Sequence, residues 1–241
     1  MVNMWPEFQG KRVLVTGGSS GIGLATARAF HDAGAAVAIT GTRNTAADYP
    51  DDLSAFTYVQ ADFEKSGAAA ALAAAVGELD ILVNNAGKSS ADEYTAEGFR
   101  STMNVNLMAV MDVCLAFYPT LRKNTGAVVN VGSLSSFLAL REVPAYTASK
   151  AGILGLTRAL ADKWARDPVR VNMVAPGFIR TRMTAKQTAN PEHEKRLMRA
   201  IPANRLGDPD DVAQSILFLA SPRSAYIVGQ SIAIDGGLLL R

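Results

Sequence analysis

Tyr146 and Lys150 lie four residues apart, so a helix over this stretch puts both side chains on one face. A free tyrosine, with a pKa of about 10, is too weak a base at neutral pH. An ammonium group beside it favours the tyrosinate and lowers that pKa, which makes the pair a proton donor and acceptor. Ser133, upstream of Tyr146, offers a hydroxyl able to hydrogen-bond an oxygen on which charge develops. A Tyr-x3-Lys pair also occurs on many helix surfaces, so the chemical reading depends on what surrounds it.

A second group of residues suits an anion. Thr16-Gly17-Gly18-Ser19-Ser20-Gly21-Ile22-Gly23 follows a short apolar run and precedes a helical pattern. Glycines let the backbone turn tightly and approach a pyrophosphate. The helix N-terminus adds free N–H groups and the positive end of its dipole. The spacing is G-x3-G-x-G rather than G-x-G-x-x-G, and taken alone it reads equally as a plain turn.

The elements that must position these residues alternate along the chain. Apolar, β-rich runs at 12–16, 36–40, 56–60, 81–84, 128–131, 170–174 and 231–234 read as strands, most of them buried on both faces. Helical patterns at 22–33, 67–76, 96–118, 146–164 and 209–220 lie between them, the last with Asp208 as cap and Pro209 in its first turn. This alternation predicts an α/β protein, a single domain over 1–241, with a parallel sheet and helices on both faces. The segment 183–203 is polar, carries Pro191 and Pro202 and breaks the alternation, so it reads as a mobile helical excursion.

Composition narrows the function classes. With 241 residues the chain can bury a large core without disulfides or metal. A net charge of +2 and the lack of a basic run argue against a nucleic-acid partner. The longest apolar stretches fall short of a membrane span, and residues 1–10 lack a secretion pattern, so a cytoplasmic location is expected. Cys114, the only cysteine, sits in an apolar helical run and reads as a packing residue. His31 and His193 lack ligand spacing, so no metal site is expected.

Taken together, the motifs resemble those of the short-chain dehydrogenases/reductases over nearly the whole chain, from Lys11 to Gly237. They occur in order: residues 16–23, Asn84-Asn85-Ala86-Gly87, Asn106 in Asn-Val-Asn-Leu, Ser133, Tyr146-x3-Lys150 and Pro176-Gly177-x3-Thr181. The resemblance implies a doubly wound Rossmann fold with a seven-stranded parallel sheet. It also implies an NAD(P)-dependent oxidoreductase that interconverts a secondary alcohol and a ketone, the cofactor supplying the hydride. Tyr146 is then the general acid/base and Ser133 holds the substrate oxygen. Lys150 also binds the nicotinamide ribose, and Asn106 holds a water that links Lys150 to solvent.

For the cofactor, the resemblance implies contacts from Gly17, Ser19, Ser20, Gly21, Ile22 and Gly23 around the pyrophosphate, and from Asp62 and Phe63 near the adenine. Asp62 as a cap for the following helix fits the local sequence equally well. Asn84, Ala86 and Gly87 form a wall, and Pro176, Gly177, Ile179 and Thr181 surround the nicotinamide. The substrate pocket is expected from Ser133, Ser135, Phe137, Leu138, Leu140, Val143, Tyr146 and Met183, with residues 183–204 as a lid. That lining is mostly apolar, which favours a hydrophobic or cyclic substrate. The C-terminal part resembles the branch that holds 3-oxoacyl-(acyl carrier protein) reductases, sugar dehydrogenases and secondary-alcohol dehydrogenases. Ser20 and Arg182 depart from the acyl-carrier-protein pattern. At the end of the second strand stands Gly41, where an NAD-selective site carries a carboxylate; Thr42 and Arg43 follow, and the nearest acid is Asp48. Arg43 can bond a phosphate through its planar fork, so NADP(H) is expected over NAD(H), with NAD(H) still possible. Family members pack their long helices in dimers or tetramers, which implies a homotetramer. Two other classes stay open: a catalytically silent nucleotide-binding regulator, against which the intact Asn106, Ser133, Tyr146 and Lys150 argue, and a methyltransferase on a similar sheet, which would want an acid where Gly41 stands.

Overall fold

Runs such as Val13-Leu14-Val15 and Leu82-Val83 are apolar on both sides of the pleat, so the sheet they form needs cover on both faces. The computed structural model describes residues 4–185 and 189–241. Seven strands form one parallel sheet: β1 (Arg12–Val15), β2 (Ala36–Gly41), β3 (Thr57–Gln60), β4 (Ile81–Asn84), β5 (Ala127–Val131), β6 (Arg170–Pro176) and β7 (Ser231–Ile234). Their order is β3-β2-β1-β4-β5-β6-β7, the doubly wound arrangement expected from the sequence. The chain reverses its direction of travel across the sheet after β3, when β4 pairs with β1.

The described helices are α1 (Gly21–Asp32), α2 (Ala68–Val76), α3 (Ala96–Met103), α4 (Ala109–Lys123), α5 (Pro144–Trp164), α6 (Pro191–Ala200) and α7 (Pro209–Ala220). Strand alternation divides the core between the faces. Val13, Val15, Ile39, Val83, Val129 and Val174 share a cluster with Phe30 of α1 and Ile216 of α7. Leu14, Leu82, Val128, Val171 and Met173 pack with Leu72, Phe117 and Leu160 of α2, α4 and α5.

Two sequence readings change. The helix expected at 96–118 runs on to Lys123, and a π-helical turn at Asn104–Met108 joins α3 to α4. That continuous run, Ala96–Lys123, is long and apolar enough to cross a membrane by length and composition, contrary to the expectation from the separate apolar stretches. Its Val113, Cys114, Phe117 and Leu121 are instead buried against the sheet, as in a core helix. The stretch 183–204 contains the regular helix α6, which Asn190 caps by accepting the N–H groups of Glu192 and His193. Residues 186–188 of the expected lid lie outside those described. Cys114 is fully buried, and burial pushes its thiol up to about 12, in keeping with a packing role.

Candidate active site

The carboxyl ends of β1, β2, β4, β5 and β6 open onto a cavity of about 560 Å3. Open α/β sheets bind ligands at this edge because loops of opposite sense diverge there. Ser133, Tyr146 and Lys150 all line it. A larger cleft, of about 1310 Å3, runs between α1 and α7 beyond Ser20 and Gly21. It contains none of those three residues, so the smaller cavity is the place for chemistry.

Ser133 leaves β5 in extended conformation and caps a short 3-10 turn: its Oγ accepts the N–H of Ser135 at 3.1 Å. That leaves the Ser133 hydrogen free to point at the Tyr146 hydroxyl. Tyr146 sits in the first turn of α5, which Pro144 opens. Lys150, one turn on, is 5% exposed; its Nζ donates to the Val131 carbonyl at 2.8 Å and lies 5.6 Å from the centre of the Tyr146 ring.

Here the expected electrostatics is reversed. Burial raises the Tyr146 pKa above its ordinary value; the Ser133 hydrogen bond lowers it again in part, and the charge of Glu93 adds to the rise. Burial lowers Lys150 to about 8. The structure therefore holds tyrosine in its acid form, with the lysine turned to a backbone carbonyl rather than to the phenol.

Asn106 is buried in the π turn, with both ends of its amide in use. Its Oδ1 accepts the Lys88 N–H at 2.8 Å, and its Nδ2 donates to the Lys88 carbonyl at 2.8 Å and to Ser149 Oγ at 3.1 Å. A Cβ placed on Gly87 would lie 3.4 Å from Asn106 Oδ1 and 3.6 Å from Lys150 Nζ, so this glycine keeps open a gap that both groups border.

The glycine-rich turn is built as an anion cradle. No side chain caps the N-terminus of α1, and Ser20, Gly21 and Ile22 face the cavity. Gly21 has φ +54°, and a Cβ on it would come within 3.2 Å of Thr181 Cγ2, so the loop closes against the segment after β6. Gly17, Ser19, Thr42, Arg43, Asp62, Phe63, Ala86, Gly87, Pro176, Gly177, Ile179 and Thr181 also border the cavity. Asp62 caps no helix; its Oδ1 accepts the Glu64 N–H in the turn after β3.

Other expected positions lie elsewhere. Asn84 is the last residue of β4 and, by the period of two, points to the same face as Leu82; its amide bonds Asn130 Oδ1 at 2.9 Å and the Cys114 sulfur. It is a core residue, not a cofactor wall. The next residue does the work at the loop: Asn85 Nδ2 donates to the carbonyls of Thr16 and Gly17. Gly23 likewise is not on the cavity wall; it packs under Gly17. Met183 borders the cavity, but Ser135, Phe137, Leu138, Leu140 and Val143 do not. Ser135 is buried, whereas Phe137, Leu138 and Leu140 are exposed on the loop before α5, outside the cavity.

Glu93 was invisible to sequence reasoning. It is 1% exposed, and its carboxylate accepts the N–H of Tyr146 at 2.9 Å, the N–H of Ser90 at 3.2 Å and the Thr102 hydroxyl at 3.3 Å. It thus satisfies a free N–H at the start of α5 and pins the backbone of Tyr146. No motif signals it, because its partners come from three separate stretches of chain. Glu93→Ala is expected to cost about 3 kcal/mol by leaving buried donors unpaired. Urea unfolding of the variant checks this, and an unchanged midpoint would refute the role.

The comparisons with known proteins cover the same ground. A family model described as enoyl-(acyl carrier protein) reductase matches residues 17–239. The chain is 37% identical over 248 residues to 2-dehydro-3-deoxy-D-gluconate 5-dehydrogenase of Bacillus subtilis (strain 168), covering 98% of this chain and 97% of that one. It is 38% identical over 243 residues to galactitol 2-dehydrogenase (L-tagatose-forming) of Cereibacter sphaeroides, with 96% of each covered. In three dimensions it matches a candidate 2-deoxy-D-gluconate 3-dehydrogenase of Agrobacterium tumefaciens, solved with bound NADP, at a TM-score of 0.88 and 35% identity, over 97% of this chain and 98% of that one.

Proposed function

The chain belongs to the short-chain dehydrogenase/reductase family, and from that premise we propose that it is an NADP(H)-dependent oxidoreductase interconverting a secondary alcohol and a ketone. The observation that carries this reading is the meeting of Ser133, Tyr146 and Lys150 with the glycine-rich turn in one cavity. The bound nicotinamide supplies or takes up the hydride. Residues of α1's N-terminus would hold its pyrophosphate, Thr181 and Ile179 its carboxamide, and Lys150 its ribose. Gly17, Gly21 and Gly87 border the cavity without side chains, which fits such a group.

With substrate bound, Ser133 turns its hydrogen from Tyr146 Oη to the substrate oxygen and fixes that oxygen beside the phenol. In carbonyl reduction the Tyr146 proton passes to that oxygen, and in alcohol oxidation the tyrosinate takes a proton from it. Because burial holds Tyr146 protonated above its ordinary range, the acid form prevails at neutral pH. Reduction is therefore expected to hold below about 8, where Lys150 keeps its charge, and to decline above it. Oxidation is expected to rise with pH as tyrosinate forms. The test follows the absorbance of the reduced nicotinamide with both cofactors, a graded panel of ketones and diols, and a range of pH. No turnover on any member would refute the enzyme reading, and oxidation independent of pH would refute the role of Tyr146.

A polyol or sugar-acid substrate is the second reading, favoured by the names of the relatives. The same panel separates it from an apolar ketone. For residues 183–204 we keep the role of substrate cover, supported by Met183 on the cavity wall and by the 2.6 Å pair between Arg180 and Glu194 of α6. Exposed Met108 and Leu115 on the 96–123 helix support burial of that face in an assembly of copies, for which a homotetramer is our reading and which light scattering tests.

A further inference from the structure

The carboxylate that selects NAD in such folds would stand at Gly41, the last residue of β2. In this chain the place is taken. A Cβ on Gly41 would lie 2.2 Å from Tyr49 Oη and 2.9 Å from Tyr49 Cζ. The phenol of a residue further along the chain fills the volume that an acidic side chain would need.

The turn after β2 puts Tyr49 there. The Thr45 N–H donates to Asp48 Oδ2 at 2.8 Å, closing a capping box over a short 3-10 turn. The nearest acid in sequence is thereby tied into its own turn. Gln60 Nε2 donates to the Thr42 carbonyl and to Asn44 Oδ1, and the Tyr58 hydroxyl donates to the Arg43 carbonyl. With the turn so held, Tyr49 Oη accepts the Arg43 N–H at 3.0 Å, and the Arg43 guanidinium lies over its ring, 4.9 Å from the centre. Tyr49, Ser19, Thr42 and Arg43 all border the cavity. Since the phenol oxygen accepts from the backbone, its own hydrogen can donate, to a neighbouring hydroxyl or to an anion in the cavity.

We propose that Tyr49 is a cofactor-selecting residue: it occupies the acid position, excludes any side chain at Gly41, and donates its hydroxyl hydrogen to the adenosine 2′-phosphate beside Arg43. A neutral donor there attracts the phosphate that a carboxylate would repel. Burial opposes ionisation of this phenol, but the hydrogen bond from the Arg43 N–H, with those it shares with neighbouring hydroxyls, brings its pKa below the usual value, which strengthens it as a donor. The inference rests on the NADP(H) reading and names the residue behind it.

Calorimetric binding of adenosine 2′,5′-bisphosphate and of 5′-AMP tests it without turnover. The parent is expected to prefer the bisphosphate. Tyr49→Phe is expected to weaken the bisphosphate about tenfold, as for the loss of a hydrogen bond to a charged group, and to leave 5′-AMP unchanged. Gly41→Asp alone is expected to weaken both, because the carboxylate has no room. Gly41→Asp combined with Tyr49→Ala is expected to recover 5′-AMP binding and reject the bisphosphate. If the parent prefers 5′-AMP, the NADP(H) reading fails and this inference with it. If the parent prefers the bisphosphate but Tyr49→Phe changes both ligands alike or neither, the assignment of Tyr49 alone is overturned. Failure of the double variant to regain 5′-AMP over Gly41→Asp refutes the space-filling part.

Discussion

Tyr146→Phe is expected to lower turnover by about a thousandfold and to leave cofactor affinity unchanged. On the proposed mechanism the phenol is the proton donor to the oxygen that Ser133 binds. Lys150 Nζ is committed to the Val131 carbonyl and lies 5.6 Å from the centre of the Tyr146 ring. Glu93 reaches the Tyr146 backbone and not its hydroxyl. Phe keeps the ring volume, so the start of α5 stays packed and the fold survives. Steady-state rates in both directions and cofactor titration of the same preparation decide the matter. A folded variant with parental turnover would remove Tyr146 from the mechanism.

Gly23→Ala is expected to disrupt the glycine-rich turn with a single methyl group. Its Cβ would fall 2.4 Å from the Gly17 carbonyl oxygen and 2.5 Å from Asn85 Nδ2. Neither atom can move freely. Asn85 Nδ2 holds the carbonyls of Thr16 and Gly17, the Gly17 N–H donates to Thr40 Oγ1, and Thr16 Oγ1 accepts the N–H groups of Asn85 and Ala86. Making room therefore shifts the whole turn that borders the cavity. Overpacking of this kind costs about 1–3 kcal/mol, and the misplaced turn is expected to weaken cofactor binding by at least about tenfold. Thermal unfolding and cofactor titration read the two effects. Parental affinity in the variant would show that Gly23 has no part in shaping the turn.

Much of this protein was legible before folding was considered. Strand positions followed from apolar runs bounded by turn residues, because a strand buried on both faces tolerates few polar side chains; β4 and β7 fall where the sequence reading put them. The helix at 209–220 was marked at its start by Asp208 and Pro209, a local signal that needs no tertiary partner. Tyr146 and Lys150 were legible as a pair for the same reason: four residues on a helix suffice to set their relation.

The tertiary structure decided what distance along the chain conceals. Asn84 and Asn85 are neighbours of the same type, yet one is buried against Cys114 and the other holds the glycine turn, because the strand's alternation ends between them. Glu93 meets Tyr146 only when the loop after β4 folds over the start of α5. Tyr49 reaches Gly41 only because a capping box bends the intervening turn. The proton affinity of Tyr146 was misjudged for a related reason. Spacing shows that a lysine is near, but the direction of the shift depends on burial and on which atom the ammonium contacts, and both are properties of the folded surroundings rather than of the helix that carries the pair.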